Sequence, residues 1–76
     1  MKEKYYDKYR AIGLKISYYR KLKGYSQEML AEKINRSTAF ICAIEAPNIY
    51  KEFSIDTFLA ISRELGVEPY KLLEED

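Results

Sequence analysis

Residues 26–45 set two short apolar-periodic segments almost end to end, each opened by a serine, and this spacing constrains the fold more than any other feature of the chain. Ser26 and Ser37 suit helix N-caps, because a serine hydroxyl accepts a backbone N–H of the first turn. Met29, Leu30 and Ile34 supply the buried side of the first segment, and Ala31 is small enough for a neighbour to approach closely. Ile41 and Ile44 point inward at i, i+3 spacing in the second. Asn35, between them, tolerates a left-handed backbone better than any residue but glycine. Helices shorter than about 12 residues are marginal alone in water, so each segment must fold against its neighbours. A turn of about three to four residues makes the two helices cross steeply and leaves the second protruding, which is a helix-turn-helix.

The rest of the chain reads as helix too. Tyr9, Ile12, Ile16 and Tyr19 recur at three- and four-residue spacing within residues 6–23, which end on Lys21, Lys23 and the helix-terminating Gly24. Pro47 stops the third segment by pushing Ala46 out of the helical region. After a loop over residues 48–53, Ser54 caps a fourth segment carrying Ile55, Phe58, Ile61 and Leu65 on one face and ending at Gly66. Pro69 sits near the start of a last short helix through Leu73. Tyr9, Tyr19, Phe58 and Tyr70 read as core aromatics. With every connection short, the expected fold is all-α: a compact bundle of about five short helices. Residues 1–76 form a single domain, with residues 1–8 as a mobile arm carrying Lys2, Lys4 and Lys8.

Composition excludes several function classes. A chain of 76 residues buries only about 60–65% of its unfolded surface, which leaves little core for an enclosed catalytic pocket. Apolar residues at 47% and charged residues at 33% are those of a folded soluble protein. No apolar run approaches the roughly 18 residues that span a bilayer, and none at the start has signal-peptide length. With no histidine and Cys42 as the sole cysteine, neither a zinc site nor a histidine-based triad can be built; no metal, cofactor or enzymatic activity is expected. A lone cysteine fits a reducing cytoplasm. The net charge of +1 conceals an asymmetry: residues 1–51 hold eleven Lys/Arg against five Asp/Glu, residues 52–76 two against seven. Such a distribution suits a domain with one face on an anionic partner.

The pattern Arg20, Gly24, Ser26, Gln27, Leu30, Ala31, Ile41, Ile44 and Glu45, followed by Ile55, Thr57, Phe58, Ile61, Leu65, Gly66 and Val67, resembles the lambda-repressor-like, XRE-type DNA-binding domain over residues 10–73. The resemblance implies a cytoplasmic transcriptional regulator that binds double-stranded DNA as a homodimer, with the helix over residues 37–45 in the major groove. It implies a phosphate contact for Gln27 at the positive end of its helix. Thr38, Ala39, Cys42 and Ala43 would face the groove, and Ser37 would cap the recognition helix. Arg20 and Glu45 would form an internal ion pair. Arg36 in the turn and Lys51 in the following loop are further backbone-contact candidates.

Three features depart from the family pattern. Bidentate base reading uses Arg, Lys, Asn or Gln, and the four groove-facing residues include none. The Arg-Gly that often follows the glutamate is here Ala46-Pro47, and the loop to the fourth helix is longer than usual with Lys51 as its one cation. These departures predict weak direct readout. They also keep open an alternative: a protein-interaction module or antitoxin-like component on the same fold, with a protein partner.

Overall fold

The computed structural model describes residues 5–74 and consists, among them, of five helices and no strand. They are α1 (Tyr6–Lys23), α2 (Gln27–Lys33), α3 (Thr38–Glu45), α4 (Ile55–Leu65) and α5 (Pro69–Leu73). Local chemistry sets their boundaries. The hydroxyl oxygens of Ser26, Ser37 and Ser54 accept the backbone N–H groups of Met29, Phe40 and Thr57 at 3.0, 3.1 and 3.2 Å. α1 and α4 end on Gly24 and Gly66 in the left-handed conformation. The turn between α2 and α3 bends through Asn35 at φ 60°, the only non-glycine residue described with positive φ. Ala46, before Pro47, is extended at φ −75°, ψ 125°, so α3 stops where the proline requires.

One large side chain from each helix reaches full burial: Ile16, Leu30, Ile41, Ile61 and Leu72. Phe40, Ile44, Phe58 and Leu65 complete the core, and Ile12, Tyr19, Tyr25, Ile34, Phe53 and Val67 pack around it. All five helices therefore share one core. The radius of gyration of 11.5 Å matches the about 11.4 Å expected for this length. No helix among the described residues is long and apolar enough to cross a membrane.

α3 packs chiefly on α2 and α1. The approach of α1 is close because Gly13 sits where they cross: a Cβ there would stand 1.8 Å from the carbonyl oxygen of Ile44. Glycine costs about 1 kcal/mol in a helix interior, and here the close crossing requires it.

Several apolar residues assigned to the core stay outside it. Met29 is exposed because its side chain turns back over the α2 cap, where its sulfur accepts the Ser26 N–H at 3.5 Å. Ile55, at the first residue of α4, lies on the rim of an open groove shared with Tyr9, Ile12, Phe53 and Leu73. Tyr70, on the short last helix, is exposed. α1 begins at Tyr6, so Lys8 belongs to the helix and not to an arm, while Lys2 and Lys4 lie outside the described residues.

Candidate nucleic-acid interface

The apolar spacing of α3 divides it into two sides. Phe40, Ile41, Ile44 and Glu45 are buried. Thr38, Ala39 and Cys42 are exposed on the opposite arc, with Ala43 half-buried at its edge. The structure thus gathers the four expected groove-facing residues on one side of one helix. Ser37 precedes them, its hydroxyl committed to the cap.

The base of α3 is tied to α1 by Arg20 and Glu45, respectively 7% and 8% exposed. Arg20 Nε donates to Glu45 Oε2 at 2.7 Å and Nη2 to Oε1 at 2.9 Å, a two-point pairing that suits the planar guanidinium. Nη1 donates to the Tyr25 carbonyl at 2.7 Å. The hydrogen bonds to Glu45 hold the Arg20 guanidinium above its ordinary pKa, with burial opposing and the glutamate's charge adding to the upward shift.

Gln27 joins the same group. It opens α2, half-buried, and its Nε2 donates to Glu45 Oε1 at 2.9 Å. Its Oε1 accepts from the Cys42 thiol at 3.0 Å. A carboxamide nitrogen carries two N–H donors, and among the described residues these contacts use one of them. The amide is held in a fixed orientation between the start of α2 and the exposed side of α3.

Arg36 and Lys51 meet around Phe40. The Arg36 guanidinium lies over the ring, its Cζ 3.9 Å from the centroid, and Nη1 donates to Thr57 Oγ1 at 3.0 Å. Lys51 Nζ lies 5.6 Å from the same centroid. Stacking fixes a guanidinium that keeps several donors for an anion. Glu28 and Glu32 of α2 border an open groove with Asn35, Arg36, Ser37 and Thr38, so two carboxylates stand beside the start of α3.

Sequence reasoning missed Phe40 as the platform for two cations, Thr57 as a partner of Arg36, and Gly13. A mid-helix glycine, unfavourable in local terms, was the available signal for the last. Phe40 gave one in standing four residues after Arg36. Thr57 gave none, because its pairing joins two distant segments.

A helix-turn-helix family model matches residues 16–72. Among solved structures, the restriction-modification controller protein C.AhdI from Aeromonas hydrophila superposes with a TM-score of 0.81 at 24% identity, over 92% of this chain and 99% of that one, a likeness of fold. SinR, a master regulator for biofilm formation solved in complex with DNA, superposes with a TM-score of 0.75 at 38% identity, over 83% of this chain and 98% of that one. SinR in its complex with the SinI protein gives a TM-score of 0.75 at 39% identity, over 84% of this chain and 61% of that one. No curated protein matches the chain.

Proposed function

The chain belongs to the XRE-type helix-turn-helix family, a family of DNA-binding regulators, and from that membership we propose that it is a cytoplasmic transcriptional regulator that binds double-stranded DNA as a homodimer with α3 in the major groove. The observation that carries this reading is the exposed side of α3 set between the oriented Gln27 amide and the Arg36–Lys51 pair. In this arrangement Gln27, Arg36 and Lys51 meet phosphates and fix the register. Thr38, Ala39, Cys42 and Ala43 lie against base edges. Their methyls and single hydroxyl suit thymine methyls better than guanine edges, so sequence preference comes largely from DNA shape and half-site spacing. One such module reads few base pairs, and a two-fold dimer spanning half-sites about one helical turn apart supplies the rest.

Duplex binding measured across a salt series tests the proposal. Affinity should fall with a log–log slope of about −0.9 per phosphate neutralised. Gln27→Ala should weaken binding to all duplexes alike. Absence of duplex binding at low salt would overturn the DNA reading, and loss of preference between sequences in Gln27→Ala would overturn the phosphate role.

A second reading has one observation in its favour: the exposed side of α3 carries no Arg, Lys, Asn or Gln, the residues that read bases bidentately. A regulator of this kind can act through a protein partner, as SinR is found with SinI as well as with DNA. Recovery of no preferred site from randomised duplexes would favour it.

A further inference from the structure

α4 leaves a narrow outer arc uncovered. Thr57, Phe58, Ile61, Ser62 and Leu65 are buried. At 100° per residue the opposite arc carries Asp56, Leu59, Ala60 and Arg63. Asp56, Leu59 and Arg63 are exposed, Leu59 at 45%, and Ala60 is half-buried. Asp56 and Arg63 stand two turns apart, within about 20° of one line along the helix and about 10.5 Å from each other along its axis. Pairing within a helix joins residues three or four apart. At that spacing Asp56 and Arg63 find only Glu52, Phe53, Leu59, Ala60, Gly66 and Val67, and none of these offers an opposite charge. Among the described residues neither side chain has a hydrogen bond or an ion pair.

The arc is complementary to itself. An acid and a base lie at equal distances from a centre formed by Leu59 and Ala60. A two-fold axis through that centre, perpendicular to α4, lays a second α4 antiparallel on the first. Asp56 of each copy then faces Arg63 of the other. Leu59 meets its counterpart, and the small Ala60 lets the two backbones approach. A parallel pair would set Asp56 on Asp56 and Arg63 on Arg63, which like-charge repulsion opposes. A bilayer surface takes up helices with a broad apolar face, and this arc has a charge at each end. The two signs also suit the helix dipole, with Asp56 in the first turn and Arg63 in the last. The dipole does not require that they share one outward line with an apolar pair midway.

We propose that the homodimer of the preceding section, on which this assignment rests, forms through the outer arc of α4, antiparallel, with two reciprocal Asp56–Arg63 pairs. A specific interface takes about a tenth of a small protein's surface, here roughly 520 Å² of 5180 Å² per copy. The total of about 1,000 Å² is at the lower limit for a biological interface. The dimer is accordingly weak and forms as concentration rises.

Sedimentation equilibrium of the full chain over a rising concentration series tests this without DNA, so its failure is read apart from a failure of duplex binding. The parent should show a monomer–dimer equilibrium. Asp56→Arg alone and Arg63→Asp alone each set like charges face to face and should weaken the dimer at least tenfold. An equimolar mixture of these two variants should associate again, because every facing pair is then opposite in sign. The double variant Asp56→Arg/Arg63→Asp should also recover the dimer, although its charges oppose the helix dipole. Leu59→Glu should abolish it by placing two carboxylates at the axis. Circular dichroism of each variant checks that it is folded, as expected for side chains that stand in solvent. A parent that stays monomeric throughout overturns the proposal, and so does a dimer that survives both single charge variants. Association lost in the single variants and recovered in neither the mixture nor the double variant overturns the antiparallel pairing.

Discussion

Replacing Glu45 with alanine should bring the protein close to unfolding. Glu45 accepts two hydrogen bonds from Arg20 and one from Gln27. Its loss leaves a guanidinium, 7% exposed, with the Tyr25 carbonyl as its remaining partner among the described residues. An uncompensated buried charge costs about 3–5 kcal/mol. At roughly 0.05–0.15 kcal/mol per residue, a chain of 76 residues holds about 4–11 kcal/mol in total. Breaking the pair therefore removes about a quarter of the stability at the least. With a urea slope of about 1 kcal/mol/M for a small domain, the far-UV circular dichroism midpoint should drop by roughly 3–5 M, or the variant should start unfolded. Melting should fall by about 12 °C or more, since each kcal/mol is worth about 4–8 °C at this size. Arg20→Met/Glu45→Leu removes both charges and should recover most of the loss, because apolar replacement of a buried pair is near neutral or favourable. The Arg20 pKa shift is upward, so its contribution is complete across the neutral range and is lost only in strong alkali. A Glu45→Ala variant within about 1 kcal/mol of the parent, or a double variant less stable than the single one, would refute this reasoning.

Three other outcomes can be checked by melting and binding together. Gly13→Ala should cost at least about 1–3 kcal/mol, because the added methyl meets backbone atoms of Ile44 that cannot rotate away; an unchanged melt would contradict the close crossing. Arg36→Ala should lower both stability, by about 1 kcal/mol or more, and duplex affinity, since its guanidinium is stacked on Phe40 and bonded to Thr57; an effect on binding alone would show the stack to be energetically idle. Ala39→Gln should leave the melt unchanged and add about 1–3 kcal/mol of preference for adenine at one position, read by selection on randomised duplexes.

The helices and their ends could be read from sequence because each boundary is local chemistry. A serine hydroxyl reaches a backbone N–H three residues on, and Pro47 dictates the conformation of Ala46, wherever the segments finally pack. What failed to show was decided between segments or at helix ends. Met29 and Ile55 fit an apolar period, yet each lies in the first turn of its helix, where a neighbour need not cover it. Tyr70 belongs to a helix of five residues with too little length to turn all its apolar side chains inward. The Arg20–Glu45 pair was legible through resemblance, whereas the tether from Gln27 to both Glu45 and Cys42 was not. It depends on the crossing of α2 and α3, and no spacing encodes the distance between two amide atoms and two partners on another helix. The positions named for the open side of α3 came from the resemblance; Thr38, Ala39 and Cys42 are exposed there and Ala43 is half-buried.

The division of α3 bears on how such a regulator changes over evolutionary time. Half of its eight residues, Phe40, Ile41, Ile44 and Glu45, are held by the core and the Arg20 pair, so mutation there threatens the fold. Thr38, Ala39 and Cys42 carry almost none of that burden. On the proposed reading, drift at these three sites retunes which ligand the helix prefers while leaving the folded population untouched, and intermediate sequences need not pass through an unstable ancestor. Thr38 and Ala39 have the widest freedom, since both are exposed, whereas Cys42 is exposed but also bonded to Gln27. A gene duplicate of this protein would be free to diverge in specificity first and would need compensating changes in its interior only much later.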